Sequence, residues 1–102
     1  MAFSIKGEDN TEKNIWEFEL AGEIDVSNES IFRERLDEAL CEKRQSIVLD
    51  FSGIHYIDST GLGVVISAYG SMKDGGLTIK IINPKDNVKK LLNISGLDKI
   101  LC

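Results

Sequence analysis

The chain has one histidine and two cysteines among its 102 residues, and each scarcity removes a class of function. His55 is the sole imidazole, and neither a Gly-x-Ser-x-Gly elbow nor a lysine surrounds Ser59, so a serine nucleophile has no base to activate it. Cys41 and Cys102 lack a Cys or His neighbour at metal-ligand spacing, which argues against a zinc site, a disulfide framework or a catalytic thiol. Cys41 reads as a small packing residue, and Cys102 as a source of adventitious intermolecular bridges in air. No Gly-x-x-x-x-Gly-Lys loop is present to cradle a nucleotide. Basic residues are outnumbered 12 to 17 by acidic ones, and a net charge of −5 offers no electrostatic footprint for a nucleic-acid backbone. Apolar runs fall well short of the roughly 20 residues that cross a bilayer, and Met1 to Lys6 lacks the basic-then-apolar pattern of a targeting segment. The expectation is a soluble cytoplasmic protein that is not an enzyme, with no cofactor or metal and no nucleic-acid or membrane partner.

What is present suffices for one core. At 42% hydrophobic and without repeat or linker, residues 1–102 read as a single domain. Phe3 and Ile5 alternate with polar residues, as do Trp16, Phe18 and Leu20, so two half-buried strands form an antiparallel pair across a polar loop containing Gly7, Asp9 and Asn10. Gly22 to Ser27 reads as a turn, with Ser27 the cap of a helix whose Phe32, Leu36, Ala39 and Leu40 face inward and which ends near Lys43 or Arg44. Its Glu29, Arg33 and Asp37 form a solvated face.

Ser46 to Phe51 is a nearly continuous apolar run, the pattern of a central strand covered on both faces, and Ser52 with Gly53 should turn the chain. A helix then runs from the Asp58 region to Lys73, its buried face assigned to Leu62, Val65, Ile66, Tyr69 and Met72. After Asp74-Gly75-Gly76 comes a strand with Leu77, Ile79 and Ile81, made parallel to its predecessor by the helical crossover. Asn83 as cap and Pro84 as first residue should open a last helix with Val88, Leu91 and Leu92 inward, followed by an apolar stripe of Leu97, Ile100 and Leu101.

Asp58-Ser59-Thr60-Gly61-Leu62-Gly63 carries the chemistry: a carboxylate and two hydroxyls at a helix N-terminus, where unpaired amides suit a cap or a phosphate. Gly within a helix costs about 1 kcal/mol relative to Ala, so Gly61 and Gly63 point to close approach by another backbone, the protein's own sheet or a partner's helix.

Ala21-Gly22-Glu23-Ile24-Asp25, Ile47-Val48-Leu49-Asp50-Phe51 and Tyr56 to Gly63, together with Leu91 to Leu97, give a sequence that resembles the STAS-domain anti-sigma factor antagonists over essentially its whole length. The resemblance implies an α/β fold: a mixed, mostly parallel sheet of about four strands packed against about four helices. It also implies a partner-switching phosphoprotein. An anti-sigma factor serine kinase, which binds the ATP, would phosphorylate Ser59 with Asp58 and Asp25 as neighbouring acids. Only the unphosphorylated form would bind that kinase and free the sigma factor, and a serine phosphatase would reset the switch. Local chemistry alone leaves Thr60 open as the acceptor, and Asp25 open as a residue capping its own loop. The implied binding surface comprises Asp25, Asp58, Ser59, Thr60, Gly61, Leu62 and Gly63 on a monomer. The same fold also serves as a subunit of lipid ABC transporters or in signalling scaffold assemblies.

Overall fold

The computed structural model describes residues 3–101. Met1, Ala2 and Cys102 lie outside them, and with Cys102 the bridging expected of it. In chain order the elements are β1 (Ser4–Asn10), β2 (Ile15–Ile24), α1 (Glu29–Glu42), β3 (Ser46–Ile57), α2 (Ser59–Lys73), β4 (Ile79–Ile82), α3 (Asp86–Ser95) and α4 (Asp98–Leu101). Strand order is β1-β2-β3-β4, with β1 antiparallel to β2 and the other two pairs parallel. The fold is α/β as expected.

Period-two alternation decides the layers. Trp16, Phe18, Leu20 and Ile24 of β2, Ile47, Leu49, Phe51, Ile54 and Ile57 of β3, and Ile79 and Ile81 of β4 are buried together. They meet Phe32, Leu36, Ala39 and Leu40 of α1, Leu62, Val64, Val65 and Met72 of α2, and Val88, Leu92 and Leu101. All helices therefore pack on one face. The other face is bare: Glu17, Glu19, Lys80 and Ile82 are exposed, and Val48 and Asp50 are only half-buried. The central run expected to be covered on both faces is covered on one. An apolar Val48 inside a strand is shielded well enough by its neighbouring strands, and the sequence alone reads that as burial.

The strands are longer than their glycines suggest. Gly7, Asp9 and Asn10 belong to β1, and the turn is residues 11–14, with Asn14 at φ 56°. Gly7 pairs with Phe18, and a Cβ there would stand 2.5 Å from the Phe18 ring, so the glycine makes room for the core. Gly22, at φ 99°, lies in β2 beside a register shift. Gly53 does not turn the chain; β3 continues past it, close against the Leu20 carbonyl and Ala21.

Helix starts differ too. α1 begins after Asn28 and not after Ser27, whose amide and hydroxyl go to the Asp25 carboxylate instead. α3 begins at Asp86, because Asn83 is held left-handed at φ 55° and cannot cap. On α2, Val64 is buried while Ile66 is 45% exposed, so the inward stripe is centred on Val65, one residue off the expected face. Ile100 is exposed rather than docked, Cys41 is exposed rather than packed, and His55 lies on β3.

Candidate functional site

Parallel pairing of β2 and β3, with Ile24 beside Ile57, brings the carboxyl ends of both strands to one edge of the sheet. That edge is where open α/β sheets place their ligands. The Asp58 amide donates to the Ile24 carbonyl at 3.2 Å, so the β2–α1 turn carrying Asp25 is tied to the start of α2. Two segments distant in sequence thereby form one surface.

Asp58 is the N-cap of α2. Its backbone is extended (φ −104°, ψ −174°), and its Oδ1 accepts the amides of Thr60 at 3.0 Å and Gly61 at 3.2 Å, while its carbonyl accepts Leu62 N. Ser59 is the first helical residue and is exposed. Among the described residues no hydrogen bond joins its hydroxyl to Asp25 or Asp58. Both carboxylates are engaged elsewhere, so neither holds the Ser59 rotamer. The hydroxyl does not cap the helix; it stands outside the cap.

Asp25 closes its own loop. Its carboxylate accepts the Ser27 hydroxyl and the Ser27 amide, and these two bonds hold its pKa below the usual carboxylate value. Its amide donates to Asn28 Oδ1 at 3.0 Å, Asn28 Nδ2 donates to the Glu23 carbonyl at 2.7 Å, and Glu29 N donates to the Asp25 carbonyl. The loop is therefore set before any partner arrives.

The remaining motif residues divide. Gly61 and Leu62 are buried, and a Cβ on Gly61 would lie 2.6 Å from Ile24 Cγ2 and 2.7 Å from Ile57 Cγ1, so this glycine approaches the protein's own sheet. Gly63 has nothing within 4 Å of a Cβ and opens outward; Thr60 is half-buried with its amide taken. Alternation alone did not single out Val26, next to Asp25, which is 77% exposed, or Tyr56 at the end of β3, 47% exposed. A valine in a polar turn was the available signal.

The site offers an accessible hydroxyl without a base, beside fixed negative charge. Such a hydroxyl is open to a group approaching from solvent. Among the described residues no group of three His, Cys, Asp or Glu is placed to hold a metal, and no helix is long and apolar enough to cross a membrane.

Comparison with known proteins agrees with this geometry. The STAS domain model matches residues 8–101. The chain is 34% identical to an anti-sigma-B factor antagonist of Bacillus subtilis, over 80% of this chain and 74% of that protein. It is 35% identical to an anti-sigma F factor antagonist of Paenibacillus polymyxa, over 80% and 71%. In fold it is similar to the anti-sigma factor antagonist SpoIIAA. For the unphosphorylated form the TM-score is 0.84 at 22% identity, covering 97% of this chain and 86% of that one. For the phosphorylated Bacillus form it is 0.76 at 21%, covering 97% and 89%. The chain belongs to the STAS domain family.

Proposed function

We propose that this chain is an anti-sigma factor antagonist that works by partner switching. Unphosphorylated, it docks an anti-sigma factor that is also a serine kinase, through the surface where β2 and β3 end and α2 begins, and the sigma factor is released. Transfer of the γ-phosphoryl group from kinase-bound ATP to the Ser59 oxygen ends the docking. The hydroxyl proton passes to a base on the kinase and ADP leaves. A serine phosphatase reverses the modification. The chain is thus a substrate and binding module rather than an enzyme, and it works in the cytoplasm with the sigma factor.

The exposed Ser59 hydroxyl at the first residue of α2 carries this reading. The α2 amides nearest to it are already taken by Asp58, so an added phosphate finds little compensation there and projects its charge toward whatever is docked. Phosphorylation adds about −1.5 to −2 charges. At an effective dielectric of about 20, one unit of like-charge repulsion at about 6 Å is worth roughly 3 kcal/mol, about a hundredfold in affinity. No refolding is needed. Thr60, half-buried, is the second acceptor. Gly63 and Val26 supply open backbone and apolar contact on the same surface.

The test is a binding series with candidate kinases, the modified residue being located by mass spectrometry. Ser59→Ala binds constitutively, and Ser59→Asp and Ser59→Glu bind at least tenfold more weakly. Equal affinities across the series, or phosphate on Thr60 alone, contradict the assignment.

A further inference from the structure

β1 is an outer strand, and the order β1-β2-β3-β4 leaves the peptide groups along one side of Ser4–Asn10 without a strand to pair with. One of its charges, Glu8, is also unbalanced within the fold. The antiparallel register sets Glu8 directly across from Glu17 on the bare face, two like charges side by side, and such pairs destabilise a sheet. The amide of Asn10 reaches Glu17 at 3.1 Å. Among the described residues the ion pairs are Arg33–Glu29 and Lys43–Asp9, and neither relieves Glu8. Lys6, two residues away and exposed, points to the same face, where the register sets it across from Glu19 and leaves its other side open at the sheet edge.

A second copy can extend the sheet in an antiparallel sense only by a two-fold axis perpendicular to it, which keeps the helices of both copies on one side. Residues that face each other must then share a face, so the axis passes through a residue. With the axis at Lys6, that lysine meets its own copy; at Glu8, the glutamate does. With the axis at Gly7, Lys6 of each copy stands opposite Glu8 of the other, and the unrelieved carboxylate gains a cation twice over. Gly7 faces Gly7, and Phe18 keeps that position bare, because its ring fills the place of a Cβ.

We infer that the chain forms a two-fold dimer through β1 with Gly7 on the axis, joining two four-stranded sheets into one. The inference stands apart from the partner-switching reading and departs from the monomer expected of the sequence. Ser59 follows β3, two strands from the joint, and stays open in each copy.

Sedimentation equilibrium of the full chain at low salt, up to about 1 mM, tests it. The wild type dimerises, and Lys6→Glu and Glu8→Lys each weaken self-association by about tenfold. An equimolar mixture of those two variants forms heterodimers, and the double variant Lys6→Glu/Glu8→Lys regains wild-type association. Circular dichroism unchanged in all variants separates lost pairing from lost folding. A wild type that stays monomeric at that concentration overturns the inference, as does a dimer indifferent to either reversal.

Discussion

Gly61 and Gly63 sit two residues apart on α2 in opposite surroundings. A methyl group on Gly61 would press into Ile24 Cγ2 at 2.6 Å and Ile57 Cγ1 at 2.7 Å. Both isoleucines are buried and cannot yield freely, so Gly61→Ala should cost about 1–3 kcal/mol. Gly63→Ala meets nothing within 4 Å and should gain up to about 1 kcal/mol through helix propensity. Urea unfolding of the two variants checks this, and shifts of the same sign would refute the division of labour. The sequence could name both glycines as points of close approach, but what approaches them is set by the chain across the gap. For Gly61 that is the end of β2, and its neighbour was not legible from spacing. Asp25 is a partial case: a role in capping its own loop was legible from the turn, but that Ser27 supplies both bonds was not.

At the scale of elements, α2 began where the sequence placed it because its cap and its first turn lie in one hexapeptide. Asp58→Ala should cost about 0.5–2 kcal/mol, and Asp58→Asn much less, since an amide oxygen accepts the same two bonds. Ser59→Ala should stay within about 0.5 kcal/mol of the parent, because its exposed hydroxyl supports no helix amide. Thermal melts of the three variants in one buffer separate the Asp58 cap from the non-capping Ser59 hydroxyl; a loss in Ser59→Ala equal to that in Asp58→Ala would contradict the assignment of the cap. α1 and α3 misled the sequence reading for local reasons. Ser27 is drawn to a carboxylate two residues back, and Asn83 sits left-handed with its amide 3.4 Å from Asp50. Burial pushes the Asp50 carboxyl up, but the bonds from Ser52 and from Asn83 outweigh it, and its pKa is held below the ordinary value. Strand ends were misplaced at Gly7, Gly22 and Gly53 because a glycine that accommodates a ring or a bulge looks, in sequence, like one that makes a turn.

The molecule as a whole is a sheet with helices on one side only, and neighbouring residues of β3 report it. Leu49→Ala should cost about 2–5 kcal/mol, since it opens a cavity among fully buried side chains. Val48→Ala, on the bare side, should cost about 1 kcal/mol or less. Comparable losses in chemical denaturation would mean that something covers the second side. The antiparallel β1–β2 pair and the parallel β3–β4 pair were legible from loop and crossover spacing; that β2 lies beside β3 was not, and neither was the one-sidedness, because an apolar Val48 reads alike under a helix and between flanking strands. Along each strand, alternate positions therefore answer to different demands. One set is pinned by packing and can drift only at the expense of the fold, while the other is a blank panel whose composition the core does not register. Randomising Glu17, Glu19, Val48 and Lys80 together would yield a repertoire of folded molecules with new recognition properties, each with its exposed Ser59 hydroxyl undisturbed.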